Sequence, residues 1–496
     1  MTMKKSSTHI ILLVLWSCLT SMSQNIDKIG KEKYRPQFHY TSPKNWVNDP
    51  NGLVYLDGEY HLFYQYNPFG TKWGHMSWGH AVSKDLKTWK TLPIALKEFD
   101  NADGSQTMIF SGCVVIDENN TSGLFTKGFK KGMVAMFTSH VTKDQKDIAQ
   151  HQSLAYSSDK GRTWKYYSKN PVLDIGSTNF RDPNVIWYAP KNKWIVSVVK
   201  ALEYKIQFYE SANLKDWTLL SEFGKQGDTT RIWECPSLFQ IPVEGTNEQK
   251  WVVMLSSGHR QNNYLGMQYF VGDFDGKTFT PQKQNEPFFV DEGKDFYAAV
   301  PFYNRPKSQK DPIIIGWIND WEYAREIPTS TWRGSFSVPR KLSLFQENGI
   351  YHLKQTPIVS ENIYTETITL NANDKINSQK IRIKDNKYHL VLNINLLASK
   401  GFILDLLKNA EEKSVLSYDI ATETLSFDRT KSGNVDFHER FKSIESMKVK
   451  PKNGQLKLEI LVDKSIVEIY ANDGEKVLTD MVFPNKDKGG IEIIWK

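Results

Sequence analysis

The segment 83-SKDLKTW-89 sets polar, turn-forming residues ahead of a single aromatic, and the pattern recurs three times further along the chain. The later copies are 157-SSDKGRTW-164, 211-SANLKDW-217 and 272-GDFDGKTF-279, closing on Trp164, Trp217 and Phe279 as the first closes on Trp89. Ser, Asp and Asn in such stretches bond their own backbone and reverse the chain. Between the copies lie short apolar-aromatic runs such as 52-GLVYLDGEYHLFYQYN-67, in which Asp57-Gly58 is a hairpin signal. No long stretch of residues 36–345 keeps helical periodicity, so the region reads as antiparallel β. One such turn per group of strands suits four-stranded blades around an axis; a large sandwich is the competing architecture.

After 335-SFSVPRKLSLF-345 the texture changes to Lys, Asn, Ile and Leu with little Trp. Alternating segments such as 380-KIRIKDNKYHLVLNINL-396 and 455-QLKLEILVDKSIVEIYAND-473 read as sandwich strands with one solvated face. Residues 350–496 are therefore expected to form a second all-β domain, in which the 462-VDKSIVEIYANDGEKV-477 hairpin is structural.

A chain of 496 residues exceeds what one core usually supports, in keeping with two domains. Its 63 basic and 56 acidic residues leave a formal charge of only +7 with no long basic run, which argues against a nucleic-acid partner. Aromatic residues are plentiful (15 Trp, 22 Tyr, 26 Phe), as sheet packing and sugar-stacking surfaces both require. Three cysteines, Cys18, Cys113 and Cys235, show no metal-ligand spacing and are too few for a disulfide framework. Residues 1–23 read as an export signal: Lys4 and Lys5, the apolar 10-IILLVLW-16, then small residues allowing cleavage after Ser23. The apolar stretch is too short to span a bilayer, and no other segment reads as transmembrane. A second reading makes Cys18 of 15-LWSC-18 a lipid-anchored residue, although Trp16 fits a lipoprotein box poorly. On either reading the mature protein is exported, to the periplasm or outside the cell.

Three acidic residues have unusual company: Asp49 in 46-WVNDPNG-52, Asp182 in 179-NFRDPNV-185 and Glu234 in 231-RIWECPSL-238. Each lies near an aromatic, and the two aspartates precede Pro, which bars a regular strand from continuing. Asp49-Pro50-Asn51-Gly52 has the chemistry of a tight turn. Any one of these acids alone reads most simply as a turn or strand-end residue. Three of them on successive parts of a propeller, whose inner strands point at the axis, can instead converge on one funnel. Trp233 and Cys235-Pro236 beside Glu234 suggest a poorly hydrated carboxyl suited to a general acid. Asp49, among Asn48, Asn51 and backbone amides, and Asp182, beside Arg181, are expected to stay ionised. An ionised acid beside a protonated one is the pair glycoside hydrolysis needs.

In this order and spacing, "WVNDPNG", 110-FSGC-113, 181-RDP-183 and 233-WECP-236 resemble glycoside hydrolase family 32, the invertases, inulinases and levanases. The resemblance covers nearly the whole mature chain and implies a five-bladed β-propeller followed by a C-terminal β-sandwich. It implies Asp49 as nucleophile, Glu234 as acid/base and Asp182 as transition-state stabiliser, acting through a covalent fructosyl-enzyme with no metal or cofactor. Contacts to substrate carry over to Asn48, Gln65, Trp73, Phe110, Ser111 and Arg181. The segment 315-IGWINDWEY-323 supplies a pocket tryptophan, Trp317 or Trp321. Cys113 departs from the Ser common in relatives, but it follows the contact residues. The version of the motif at 65-QYNPFGTKWGHMSWGHAVSKDLKTW-89 is similar to that of exo-acting inulinases and levanases. It implies release of terminal fructose from inulin- or levan-type fructans, with sucrose also accepted. A sucrose-restricted invertase, an endo-fructanase, a fructosyltransferase and a non-catalytic fructan-binding protein are the alternatives. An arabinan-type inverting hydrolase on the same fold is disfavoured by "WECP" and the order of the acids.

Overall fold

The computed structural model describes residues 32–126, 131–259, 264–372, 374, 383–397 and 399–496. The export signal and Cys18 lie outside the described residues. Among the described residues the architecture is all-β, in seven sheets. Five of them are blades, antiparallel apart from one short parallel strand in the first, whose inner strands are Asn45–Leu56, Gln106–Asp117, Phe180–Tyr188, Glu234–Pro242 and Tyr297–Pro301. The remaining two, one built on Lys387–Asn395 and Gln455–Asp463, the other on Gly401–Lys408 and Ser414–Asp419, face each other across a core that includes Leu392, Phe402, Leu404, Leu416 and Leu458. This is the propeller-plus-sandwich architecture.

Why the blades form a closed ring is visible in their packing. Apolar clusters fill each seam: Phe63, Trp78, Ile109 and Phe137 between blades one and two, and Val134, Leu154, Phe180 and Val196 between two and three. Ile195, Phe208, Leu238 and Phe270 lie between three and four, Val252, Met267, Ile314 and Leu342 between four and five, and Val47, Leu62, Ile313 and Phe336 between five and one. Each large side chain so buried contributes roughly 1.5–3 kcal/mol. Trp332–Arg333 then runs parallel to Asn45 and Trp46, tying the end of the propeller to its start.

The four repeats occupy one place in the fold. Trp89, Trp164 and Trp217 immediately precede the outer strands Lys90–Leu96, Lys165–Tyr166 and Thr218–Gly224, and Phe279 opens Phe279–Pro281. Their polar residues fold the turn onto itself: Asp85 accepts from the backbone N–H of Lys87 and Thr88, as Asp159 does from Thr163 and Asp275 from Lys277 and Thr278. Blade five lacks the signature because Asn348 and Gly349, both at positive φ, close its outer hairpin instead. Its outer strand is Ile350–Pro357, so the propeller sheet runs past residue 345 and the sandwich strands begin at Thr365, not at 350. The composition shifts early because an outer strand is half-solvated and has no use for Trp.

The sandwich hairpin 462–477 docks the propeller. Asp463 accepts from the backbone N–H of Gln37, Phe38 and His39, and the His39 ring donates to Asp463 Oδ2 (3.0 Å) and Glu468 Oε1 (2.8 Å). Burial opposes charge on this imidazole, yet the two carboxylates outweigh it and push His39 up to about 9. Burial likewise opposes the Glu468 carboxylate, but Arg340 and His39 pull it down to about 2. The His39 contribution to stability is therefore complete below its ordinary 6.5 and is lost as pH rises through about 9. That of Glu468 is complete above 4.5 and is lost as pH falls through about 2. A shift of this size in His39 corresponds to about 3 kcal/mol. Unfolding midpoints should thus fall between pH 6.5 and 9 in the parent and stay flat across that window in His39→Gln. A parallel fall in both proteins counts against the assignment.

Among the described residues no helix is long and apolar enough to cross a membrane.

Candidate active site

All five inner strands break step with their neighbours at the same depth. Register jumps between Val47 and Pro50, Ile109 and Gly112, Arg181 and Asn184, Glu234 and Ser237, and Tyr297 and Val300. In each case an extra residue bulges from the inner strand near its start, re-aiming side chains toward the axis. Asp182, Cys235 and Ala298 hold the same bulge position at φ of 61°, 48° and 53°. Non-glycine residues there cost of order 1–3 kcal/mol each, a strain typical of functional sites.

These bulges correct the turn reading of Asp49-Pro50-Asn51-Gly52. The strand Asn45–Leu56 continues through Pro50, absorbing it with one register shift before and another after. Gly52 is required at φ 52°, where a Cβ would sit 2.6 Å from Val114 Cγ2. The bulges also show that the shared "DPN" is not structurally equivalent. Asp49 is the third residue counted from Val47, Asp182 the second from Arg181, and Glu234 the first of its own bulge. Three carboxylates thus reach one place from three blades at three offsets.

The place is a pocket of about 250 Å³ lined by Asn48, Asp49, Gln65, Trp73, Phe110, Ser111, Arg181, Asp182, Glu234, Trp321 and Arg325. Every residue singled out from the sequence is there except Trp317. That ring is fully buried behind the wall, packed against Trp46 and Trp321 at centroid distances of 6.1 and 4.9 Å. Trp321 alone of the pair faces the cavity, with Trp73 and Phe110 meeting edge to face at 6.0 Å. Larger cavities exist, about 410 Å³ further along the inner strands and about 760 Å³ between propeller and sandwich. The first is lined by no carboxylate; of the glutamates lining the second, Glu292 is paired with Lys476 and Glu475 with Lys452.

Each acid is held differently. Ser111 Oγ donates to Asp49 Oδ2 (2.6 Å) and Asn48 Nδ2 to Asp49 Oδ1 (3.0 Å), while Trp46 Nε1 fixes Asn48 through its Oδ1 (2.7 Å). Two side chains, more than backbone amides, therefore support Asp49. Burial raises its pKa, and Ser111 and Asn48 offset part of that rise. Asp182 accepts from the Cys235 N–H (2.9 Å), and its own N–H is tied to Thr138 Oγ1 (2.9 Å). Burial pushes Asp182 up as well, against the pull of Arg181. The expectation that both aspartates sit in charge-favouring surroundings thus meets a buried, mutually repelling cluster instead.

Glu234 is not in the apolar setting its neighbours in sequence suggested. Trp233 turns away into the seam between blades three and four and donates to Asp228 O. The Glu234 carboxylate lies between Arg181, whose Nε and Nη2 donate to Oε1 at 3.3 and 3.2 Å, and Tyr297, whose hydroxyl donates to Oε2 at 2.8 Å. Tyr297 and Arg325 were missed from sequence. Tyr297 opens the fifth bulge, but "FYAAV" carries neither the proline nor the acid that marked the others. Sγ of Cys235 lies 3.8 Å from Asp49 Oδ2 and 3.7 Å from Asp182 Oδ2, an uncharged spacer between two carboxylates. Cys235 and Cys113 are both free and buried.

The glycosyl hydrolases family 32 N-terminal domain matches residues 39–357, and the family 32 C-terminal domain matches residues 355–496. A levanase of Bacillus subtilis (strain 168) is 41% identical over 502 residues, covering 98% of this chain and 72% of its own. An exo-inulinase structure from Aspergillus awamori superposes with a TM-score of 0.86 at 36% identity, covering 94% of this chain and 96% of that one. A fructofuranosidase of Schwanniomyces occidentalis complexed with fructosylnystose gives 0.84 at 32% identity, covering 94% and 95%. Two domain models spanning the described fold, relatives this similar along their length and a propeller pocket with three converging carboxylates agree: the chain belongs to glycosyl hydrolase family 32.

Proposed function

We propose that this chain is a retaining β-fructofuranosidase that releases terminal fructose from fructans and also accepts sucrose. The observation that carries the reading is the meeting of Asp49, Asp182 and Glu234 in one small pocket walled by Trp73, Phe110 and Trp321. At about 250 Å³ the cavity falls below the roughly 300–1,000 Å³ of drug-sized sites, which suits a single sugar ring at a chain end. Asp49, held by Ser111 and Asn48, attacks the anomeric carbon. Glu234 protonates the departing oxygen, then takes a proton from the water that hydrolyses the fructosyl-enzyme. Asp182 is fixed by the Cys235 amide and accepts from ring hydroxyls. Asn48, Gln65, Ser111 and Arg181 complete the polar contacts. Arg181 and Tyr297 hold the two oxygens of Glu234 and so set the direction in which its proton is delivered. In this reading catalysis resides in the propeller, the sandwich props it, and the leader at 1–23 delivers the enzyme outside the cytoplasm.

Product analysis over time tests the proposal. Inulin and levan should each yield free fructose from the earliest samples, without intermediate oligosaccharides. Early oligomers would indicate an endo enzyme, and products longer than the starting material a transferase. Binding without any product would reject the catalytic reading altogether.

A further inference from the structure

A chain of side chains leads from Glu234 out to the surface of blade two. Arg181, which holds Glu234 Oε1, donates from Nη1 to Gln150 Oε1 (3.3 Å). Because that oxygen faces the guanidinium, Gln150 turns its NH₂ to His140 Nδ1 (3.1 Å). His140 Nδ1 is thus the acceptor, and the ring proton belongs on Nε2, which donates to Asp147 Oδ1 (3.1 Å). His140 and Gln150 are direct cross-strand partners in Gly132–Lys143 and Lys146–Ser157, both buried, while Asp147 is 61% exposed. The His140 ring also stacks on Phe110 of the pocket wall, 4.2 Å between centroids and 7° from parallel.

We propose that His140 is a positioning residue: its neutral, Nε2-protonated ring orients Gln150, Gln150 orients Arg181, and Arg181 orients the Glu234 carboxyl for proton transfer. The charged groups that face it are Asp147, from the neighbouring strand, and Arg181, from blade three; Phe110 and Met108 of the inner strand carry no charge. A proton arriving at Nδ1 would confront the Gln150 NH₂. The amide would then have to rotate, offering its oxygen to His140 and its NH₂ to the Arg181 guanidinium. Two donors would face each other, and Arg181 would lose an acceptor that steers it. Burial and Arg181 disfavour that protonation, whereas the Asp147 carboxylate favours it. His140 therefore couples bulk pH to the geometry of Glu234 without touching substrate.

The proposal rests on Glu234 as the acid/base, and the experiment separates the two ideas. His140→Phe keeps the stack on Phe110 but removes both ring nitrogens, and Gln150→Leu breaks the next link. Each should lower kcat on sucrose about ten- to a hundred-fold, since small misplacements of a catalytic group cost that much. KM should change by less than about three-fold, because the pocket contacts remain. The double variant should be no worse than the poorer single one, and His140→Phe should cost nothing further in a Glu234→Ala background. Asp147→Asn, at an exposed position where folding is not at stake, should move the acid limb of the kcat–pH profile to lower pH. Multiplicative losses in the double variant, or an acid limb unmoved by Asp147→Asn, overturn the positioning role. Full activity in Glu234→Ala would instead overturn the underlying functional reading.

Discussion

Asp49→Ala is expected to lose ~10⁴-fold or more of kcat while unfolding at the same temperature as the parent. The loss is large because no neighbour can replace the nucleophile. Asp182 is pinned by the Cys235 amide, and Glu234 is occupied by Arg181 and Tyr297. The fold should tolerate the change because the Asp49 carboxylate contributes nothing to the ladder or the core. Its partners, Ser111 Oγ and Asn48 Nδ2, line the pocket, where water can satisfy them once the carboxylate is gone. Removing it also relieves repulsion against Glu234, one reason besides burial that its pKa is raised. Kinetics on sucrose, paired with circular dichroism melts, check both halves. A well-folded variant with substantial residual turnover would falsify the nucleophile assignment. A small azide or formate ion, entering the space vacated by the carboxylate, should restore turnover of activated fructosides. A nucleophile attacking from that side leaves its adduct in the configuration of the fructosyl-enzyme, and the adduct is the product to look for.

Arg340→Ala is the second large effect, and it falls on stability. Arg340 is fully buried in blade five, yet its guanidinium holds Asp291 Oδ2 (2.8 Å) and, from the sandwich, Glu468 Oε2 (2.8 Å) and Thr479 Oγ1 (2.7 Å). The same group lies 4.2 Å from the centre of the Phe296 ring. Truncation leaves two fully buried carboxylates without their shared cation, and breaking a buried ion pair from one side costs about 3–5 kcal/mol. His39 still faces Glu468, so Asp291 is the acid left with the larger deficit. Calorimetry should show a markedly lower unfolding temperature, while the kcat of protein that is still folded stays near the parent value because Arg340 does not line the pocket. An unchanged melt would mean that the interface relaxes enough to hydrate both acids. Replacing Arg340, Asp291 and Glu468 together by apolar residues should recover much of the loss, since well-packed apolar groups often match a buried ionic cluster.

The sequence carried what local chemistry writes. Side chains bonded to their own backbone make the turn before an outer strand, so the signature of a polar turn closed by an aromatic was legible at four blades and silent at the fifth, where Asn348-Gly349 closes the hairpin. Asp49, Asp182 and Glu234 stood out because proline and tryptophan beside an acid are unusual in a strand. The contacts inferred for Asn48, Gln65, Trp73, Phe110, Ser111 and Arg181 fall in the same pocket. What only the tertiary structure decided depends on register and on neighbours distant in the chain. Sequence read "DPNG" as a turn, but cross-strand pairing with Glu59–Asn67 carries the strand through Pro50 and makes it a bulge. Trp317 and Trp321 are indistinguishable by type, and only packing against Trp46 places one behind the wall and the other in it. The surroundings of Glu234 looked apolar because Trp233 and Cys235 are adjacent in the chain. Trp233 lies just before the strand and turns into the seam between blades, and Cys235 adds only an uncharged thiol at the bulge, so the electrostatics of Glu234 come from Arg181 and Tyr297, which the closure of the propeller brings to it.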